Sequence, residues 1–251
     1  MKTLLSLLLC SALPALGAGF FAGQQAALAA TSSAFSPADI SGLAVWLVAD
    51  DVSGADGDAV TDWPAHGSTS ITANQTTVAA KPSKQTGEIN GHAAILGDAV
   101  NDLMPLSSSV STSGSWTVFT VQKRLTSGGL AGSVGNSAVA PAPPFPALEY
   151  GSLSRLYVAS RTDQKYSTIP SHAYHQITSQ DNGGTLVLRV DGAAQSLTAA
   201  AATGAYDFTR LFARATEYWG TYLAEVIIYT RALDSTEIGQ VEAYLDGLYF
   251  P

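Results

Sequence analysis

AEVIIYTRALDSTE, residues 224–237, sets two different backbone signals side by side. Val226, Ile227, Ile228 and Tyr229 form a β-branched, almost wholly apolar run, which reads as a strand covered on both faces. Asp234 then stands as a helix N-cap, with Glu237 three residues on to complete a capping box. Behind it Ile238, Val241, Leu245 and Leu248 recur at helical spacing, an apolar stripe that needs a surface to lie on. The chain therefore ends in a central strand and one helix.

The remainder is strand-like. Only 13% of the 251 residues are charged, while Ala, Ser, Thr and Gly abound, a balance that suits an all-β exported domain rich in turns. The net charge is −8, and Lys2 is the sole basic residue before Lys81. Nothing here neutralises a run of phosphates, so a nucleic-acid partner is not expected. The same sign argues against a polybasic membrane-surface role.

The first 29 residues read as a signal peptide. Lys2 gives the positive start, Leu4–Leu9 open an apolar run, and Ala27-Leu28-Ala29 is a small-residue cleavage site. Pro14 and several glycines interrupt the run, which disfavours a spanning helix. Cys10 follows the bulky Leu9, where a lipidation signal wants a small residue. Cleavage after Ala29 leaves a mature chain without cysteine, secreted to the periplasm or the exterior, with no transmembrane segment. A short lead-in, 30–36, then precedes one domain, 37–251.

Within that domain Ile40–Asp50 is a first strand, with Leu43, Val45 and Leu47 on one face and Ala44, Trp46 and Val48 on the other. Further strands are expected over 93–96, 116–123, 155–160, 174–179 and 185–191, with Asp191-Gly192 closing a hairpin. Pro141–Pro146, "PAPPFP", must be a surface loop. Many short strands with one late helix predict a two-sheet antiparallel jelly-roll β-sandwich.

Six blocks in order, "DISGLAVWLVADD", "DGDAVTDWP", "INGHAAILGD", "SWTVFTVQK", "LVLRVDG" and "AEVIIYTRALDSTEIGQVEAYL", resemble the laminin-G-like, concanavalin A-type jelly rolls of secreted bacterial proteins. The likeness spans roughly Pro37–Tyr249. It implies a curved sandwich and, most often, a carbohydrate-binding or adhesive role. The chain departs from the pattern at Val48, where the family often has Asp, and at "WPAHGSTS", which replaces an Asp-containing turn.

Several groups invite a chemical reading. Glycoside hydrolysis asks for two carboxylates flanking a bond, and no strand here carries alternating Glu and Asp. Glu225 lies within the core-like strand, where backbone amides or an Arg are expected to hold it. His172 and His175 alternate across an extended segment, and His66 and His92 read as lone loop histidines, so no zinc set has the needed spacing. Asp50, Asp51, Asp56 and Asp58 in "DDVSGADGD" are candidate calcium ligands, although Asp-Gly density also suits a tight turn. Tyr218, Trp219 and Tyr222, with Arg214 nearby, are the candidate ligand site: rings stack on a sugar face while the guanidinium binds hydroxyls. The competing reading makes Trp219 a plug for the end of the sandwich.

The expectation is a secreted, non-catalytic binding module for carbohydrate or a cell-surface glycan. Two alternatives stay open: a polysaccharide lyase or glycoside hydrolase on the same scaffold, and an adhesive surface protein. The fold alone does not separate them.

Overall fold

The computed structural model describes residues 35–125, 131–136, 149–151, 155–158, 165–168, 172–197 and 206–251. The segments read as a signal peptide and as a Pro141–Pro146 surface loop, with most of the expected lead-in, lie outside them. The large sheet contains β1 (Leu43–Val48), β4 (Ser83–Ile89), β5 (His92–Asp98), β7 (Ser115–Arg124), β13 (Tyr174–Asn182), β14 (Leu186–Val190), β15 (Ala193–Ala194) and β19 (Gly220–Tyr229). Opposite it stand β2 (Asp62–Trp63), β3 (Ala73–Asn74), β6 (Met104–Thr112), β9 (Val134–Gly135) and β16 (Tyr206–Leu211). A smaller sheet holds β8 (Ala131–Gly132), β10 (Glu149–Gly151), β11 (Arg155–Val158) and β12 (Lys165–Thr168), and β17 (Ala213–Arg214) pairs with β18 (Glu217–Tyr218). One α-helix, α1 (Ser235–Tyr249), follows β19.

β19 is central, as its apolar run predicts. It pairs with β7 along one edge; on the other, its first half pairs with β5 and its second with β1, all antiparallel. Val226 and Ile228 face the inter-sheet core with Val45, Leu47, Val118, Met104 and Phe208. Ile227 and Tyr229 face outward with Trp46, Phe119, Val241, Leu245 and Tyr249. Covering both faces removes the alternation that a half-exposed strand would show. The protein is thus an all-β antiparallel sandwich with a single helix laid on the outer face of its large sheet.

That helix begins as its sequence dictates. Asp234 accepts from the Thr236 and Glu237 amides, and Glu237 returns a bond to the Asp234 amide. Glu237 also binds the Arg231 guanidinium, tying the cap to the strand end. The Asp191-Gly192 turn joins β14 to β15 with both residues at positive φ, the conformation of a two-residue hairpin.

The sides of β1 differ from strict alternation at its start. A bulge between Leu43 and Val45 shifts the register against β19. Leu43 therefore packs beneath the helix and Ala44 against the inner core, while Val45 onward keeps the expected phase.

Candidate functional site

An open groove runs between the second half of α1 and the strands beside it. Two adjoining hollows, about 210 and 230 Å³, share Gln176, Asp191 and Asp246. Tyr174, His175 and Phe250 line one end, and Gly192, Glu242 and Ala243 the other. Drug-sized pockets run to roughly 300–1,000 Å³, so each hollow suits a single small unit such as one sugar residue.

Local structure explains how these side chains meet. β13 and β14 are joined in register, and the Gln176 amide donates to Asp191 Oδ1 while Asp191 N returns a bond to the Gln176 carbonyl. Asp191 Oδ2 takes His175 Nδ1 at 2.8 Å. Alternation along β13 sends Gln176 and Thr178 toward the helix, where Thr178 donates to Glu242 at 2.8 Å. Arg189 of β14 binds both Glu242 oxygens, at 2.7 and 2.9 Å. That hydrogen bond is the main reason the guanidinium holds its proton more tightly than usual.

Two groups in the groove remain unspent. Gln176 is 3% exposed, yet its Nε2 has no hydrogen-bond partner. Among the described residues, Asp246 makes no side-chain hydrogen bond or ion pair. A buried amide without a partner costs roughly 1–3 kcal/mol, and such an atom calls for water, an ion or a ligand.

Beside the groove three side chains stand in a row across three strands. Lys123 is the cross-strand partner of both Tyr174 and Tyr222. Its Nζ lies 4.6 Å from the Tyr174 ring centre and 4.0 Å from that of Tyr222. Glu88 binds Lys123 at 2.6 Å and accepts the Tyr174 hydroxyl at 3.3 Å. Burial first, then the Glu88 charge, raises the Tyr174 pKa far above the usual phenol value, so the ring keeps its proton.

The four residues read as a ligand site do not form one platform. Trp219 is fully buried, with its N–H unpaired and its ring end over Gly135. Arg214 is joined to Glu217 at 2.5 Å across the β17–β18 turn, and Tyr218 lies half-buried beside Arg210. Only Tyr222 belongs to the row at the groove. Tyr174, Gln176 and Asp246 escape sequence reasoning because they come from β13 and α1, distant in the chain.

The four candidate calcium ligands also go separate ways. Asp50 binds His92 at 2.6 Å and the Ala93 amide, and Asp51 binds His66 at 2.5 Å. Asp56 caps Thr86 N, whereas Asp58 holds Ala55 N within its own turn. His66 and His92 are thus paired, not lone. Among the described residues no three His, Cys, Asp or Glu side chains gather as a metal set.

Glu225 is held by neither backbone amides nor an Arg. Trp46 Nε1 donates to one oxygen at 2.7 Å and the Tyr249 hydroxyl to the other at 2.8 Å, with Tyr244 close by. Burial is the largest influence on this carboxyl and raises its pKa to about 7, against the opposing pull of those donors. With no exposed surface, Glu225 serves the joint between strand and helix and not a substrate.

No protein-family model matches the chain, and no curated protein matches it in sequence. Solved structures share the fold. A Trypanosoma rangeli sialidase in complex with 2,3-difluorosialic acid superposes with a TM-score of 0.51 at 14% identity, over 84% of this chain and 34% of that one. A GH54 α-L-arabinofuranosidase mutant soaked with 4-nitrophenyl α-L-arabinofuranoside gives 0.55 at 10% identity, over 76% of this chain and 51% of that one. The chain therefore spans about a third to a half of those structures, and at such identity the likeness establishes the β-sandwich fold alone.

Proposed function

We propose that the protein is an exported carbohydrate-binding module of the concanavalin A-like jelly-roll kind, with its saccharide in the groove between β13 and α1. The observation that carries this reading is the Gln176 amide, unpaired and nearly sealed, at the floor of an open groove flanked by Tyr174 and Phe250. Ring faces cover the apolar C–H surface of a sugar, while planar amides and carboxylates satisfy its hydroxyl rim. The fold-sharing sialidase and arabinofuranosidase are described with sugar-derived ligands, which is consistent with a saccharide partner.

The hydrolase reading has one observation in its favour, three carboxylates, Asp191, Glu242 and Asp246, lining the same groove, of which Glu242 is held by Arg189. A pair of free carboxyl groups must act as acid and base or nucleophile. Asp191 is engaged on both oxygens, by His175 and the Gln176 amide, which favours binding over hydrolysis.

A glycan array probed with wild type and Gln176→Met tests the proposal. Met keeps the shape and removes the unpaired amide, so the variant should melt at the same or a higher temperature. Retention on the array should fall at least tenfold. An equally stable variant with unchanged retention places the site elsewhere; release of reducing ends from a bound glycan would favour the hydrolase.

A further inference from the structure

We propose that the groove selects sugars bearing a free, protonated amine (de-N-acetylated hexosamines) over neutral and carboxylated ones. The inference rests on the saccharide-binding reading above and adds the class of sugar.

Among the described residues beside the groove, the Arg189 guanidinium is answered by Glu242 and the Lys123 ammonium by Glu88, while His175 Nδ1 is hydrogen-bonded to Asp191. Asp246 alone has no such partner among the described residues, and it lines both hollows. The groove therefore carries an uncompensated negative charge. An ammonium placed there gains a charge-assisted hydrogen bond, while a carboxylated sugar meets like charge.

The second observation is independent of the acidic residues. Gln176 is buried, lines both hollows and presents an amide without a partner, so a neutral polar group belongs next to it. A hexosamine supplies both, a hydroxyl for Gln176 and an amine for Asp246. Tyr174 and Phe250 line the same end and supply apolar surface for the sugar's C–H groups. N-acetylation would remove the charge and enlarge the group, losing the Asp246 contact.

NMR titration of the labelled protein with glucosamine, N-acetylglucosamine and glucuronate decides the matter. It is run at about pH 6, where an amine is protonated, up to about 50 mM, to cover the millimolar range of weak binding. Glucosamine should shift the Gln176 side-chain amide and the Gly192 and Ala243 backbone signals. It should bind at least tenfold tighter than N-acetylglucosamine, with glucuronate silent. Asp246→Asn changes an exposed, unpaired residue, so the fold should be kept; it should bring the amine and N-acetyl affinities together. Equal or better binding of N-acetylglucosamine by wild type overturns the amine preference and leaves the saccharide site standing. A preference that survives Asp246→Asn also overturns it. If the groove signals stay still with all three sugars, the amine inference falls; if the glycan array is blank as well, the saccharide-binding reading falls with it.

Discussion

Replacing Glu225 by Gln should flatten the pH dependence of stability, by an amount that follows from where the carboxyl sits. The residue is sealed between β19 and α1, and both oxygens accept hydrogen bonds, from Trp46 and Tyr249. Burial raises its pKa from 4.5 to about 7 in the folded protein. Between these values the unfolded chain releases its proton while the folded one keeps it. The native state then binds more protons, and stability falls as pH rises. The contribution is complete below pH 4.5 and lost by the time pH passes 7. At about 1.4 kcal/mol per pH unit, the loss is on the order of 3 kcal/mol. Gln has the same shape, can accept from Trp46 and donate to the Tyr249 oxygen, and does not ionise. Urea unfolding of wild type and Glu225→Gln at several pH values from 4 to 8 isolates the difference, since other carboxylates contribute equally to both. Wild type should lose ground to the variant steadily above pH 4.5. Parallel curves, or a wild type gaining on the variant with rising pH, would refute the argument.

Two further outcomes follow from packing. Leu245 is wholly buried between helix and sheet, so Leu245→Asp places an unpaired charge there and should cost several kcal/mol; Asp234→Ala, losing cap contacts at an exposed helix start, should cost about 1 kcal/mol. Chemical denaturation orders the two, and equal small effects would show the helix to be loosely held. Trp219→Ala should lower stability by about 3–5 kcal/mol through the cavity it leaves, with any loss of glycan retention following loss of fold; an unchanged melting temperature would restore Trp219 to the ligand site.

The architecture was legible in sequence wherever periodicity is local. The β-branched run at 226–229, the capping box at 234–237 and the stripe at 238–248 each act within a few residues, and all three are realised as read. The Asp191-Gly192 turn belongs with them, since positive φ at two successive residues is a local demand. β6 and β16 were missed because their patterns are weak: the Ser-rich 104–112 buries only Met104, Leu106, Val110 and Thr112 in alternation. The start of β1 was misassigned because a bulge depends on its partner strand, which no single strand encodes.

The site belongs almost wholly to tertiary structure. The net charge of −8 is readable without the fold, because it sums over residues wherever they sit, and it carries the expectation that nucleic acid is not a partner. Aromatic crowding at 218–222 suggested a platform, but successive strand residues point to opposite faces, which buried Trp219 and left Tyr222 beside Lys123 and Tyr174. The Asp–His pairs at Asp50–His92 and Asp51–His66 join segments 42 and 15 residues apart. Gln176 and Asp246 meet only because α1 is laid across β13, and whether a buried amide finds a partner is decided by what packs against it.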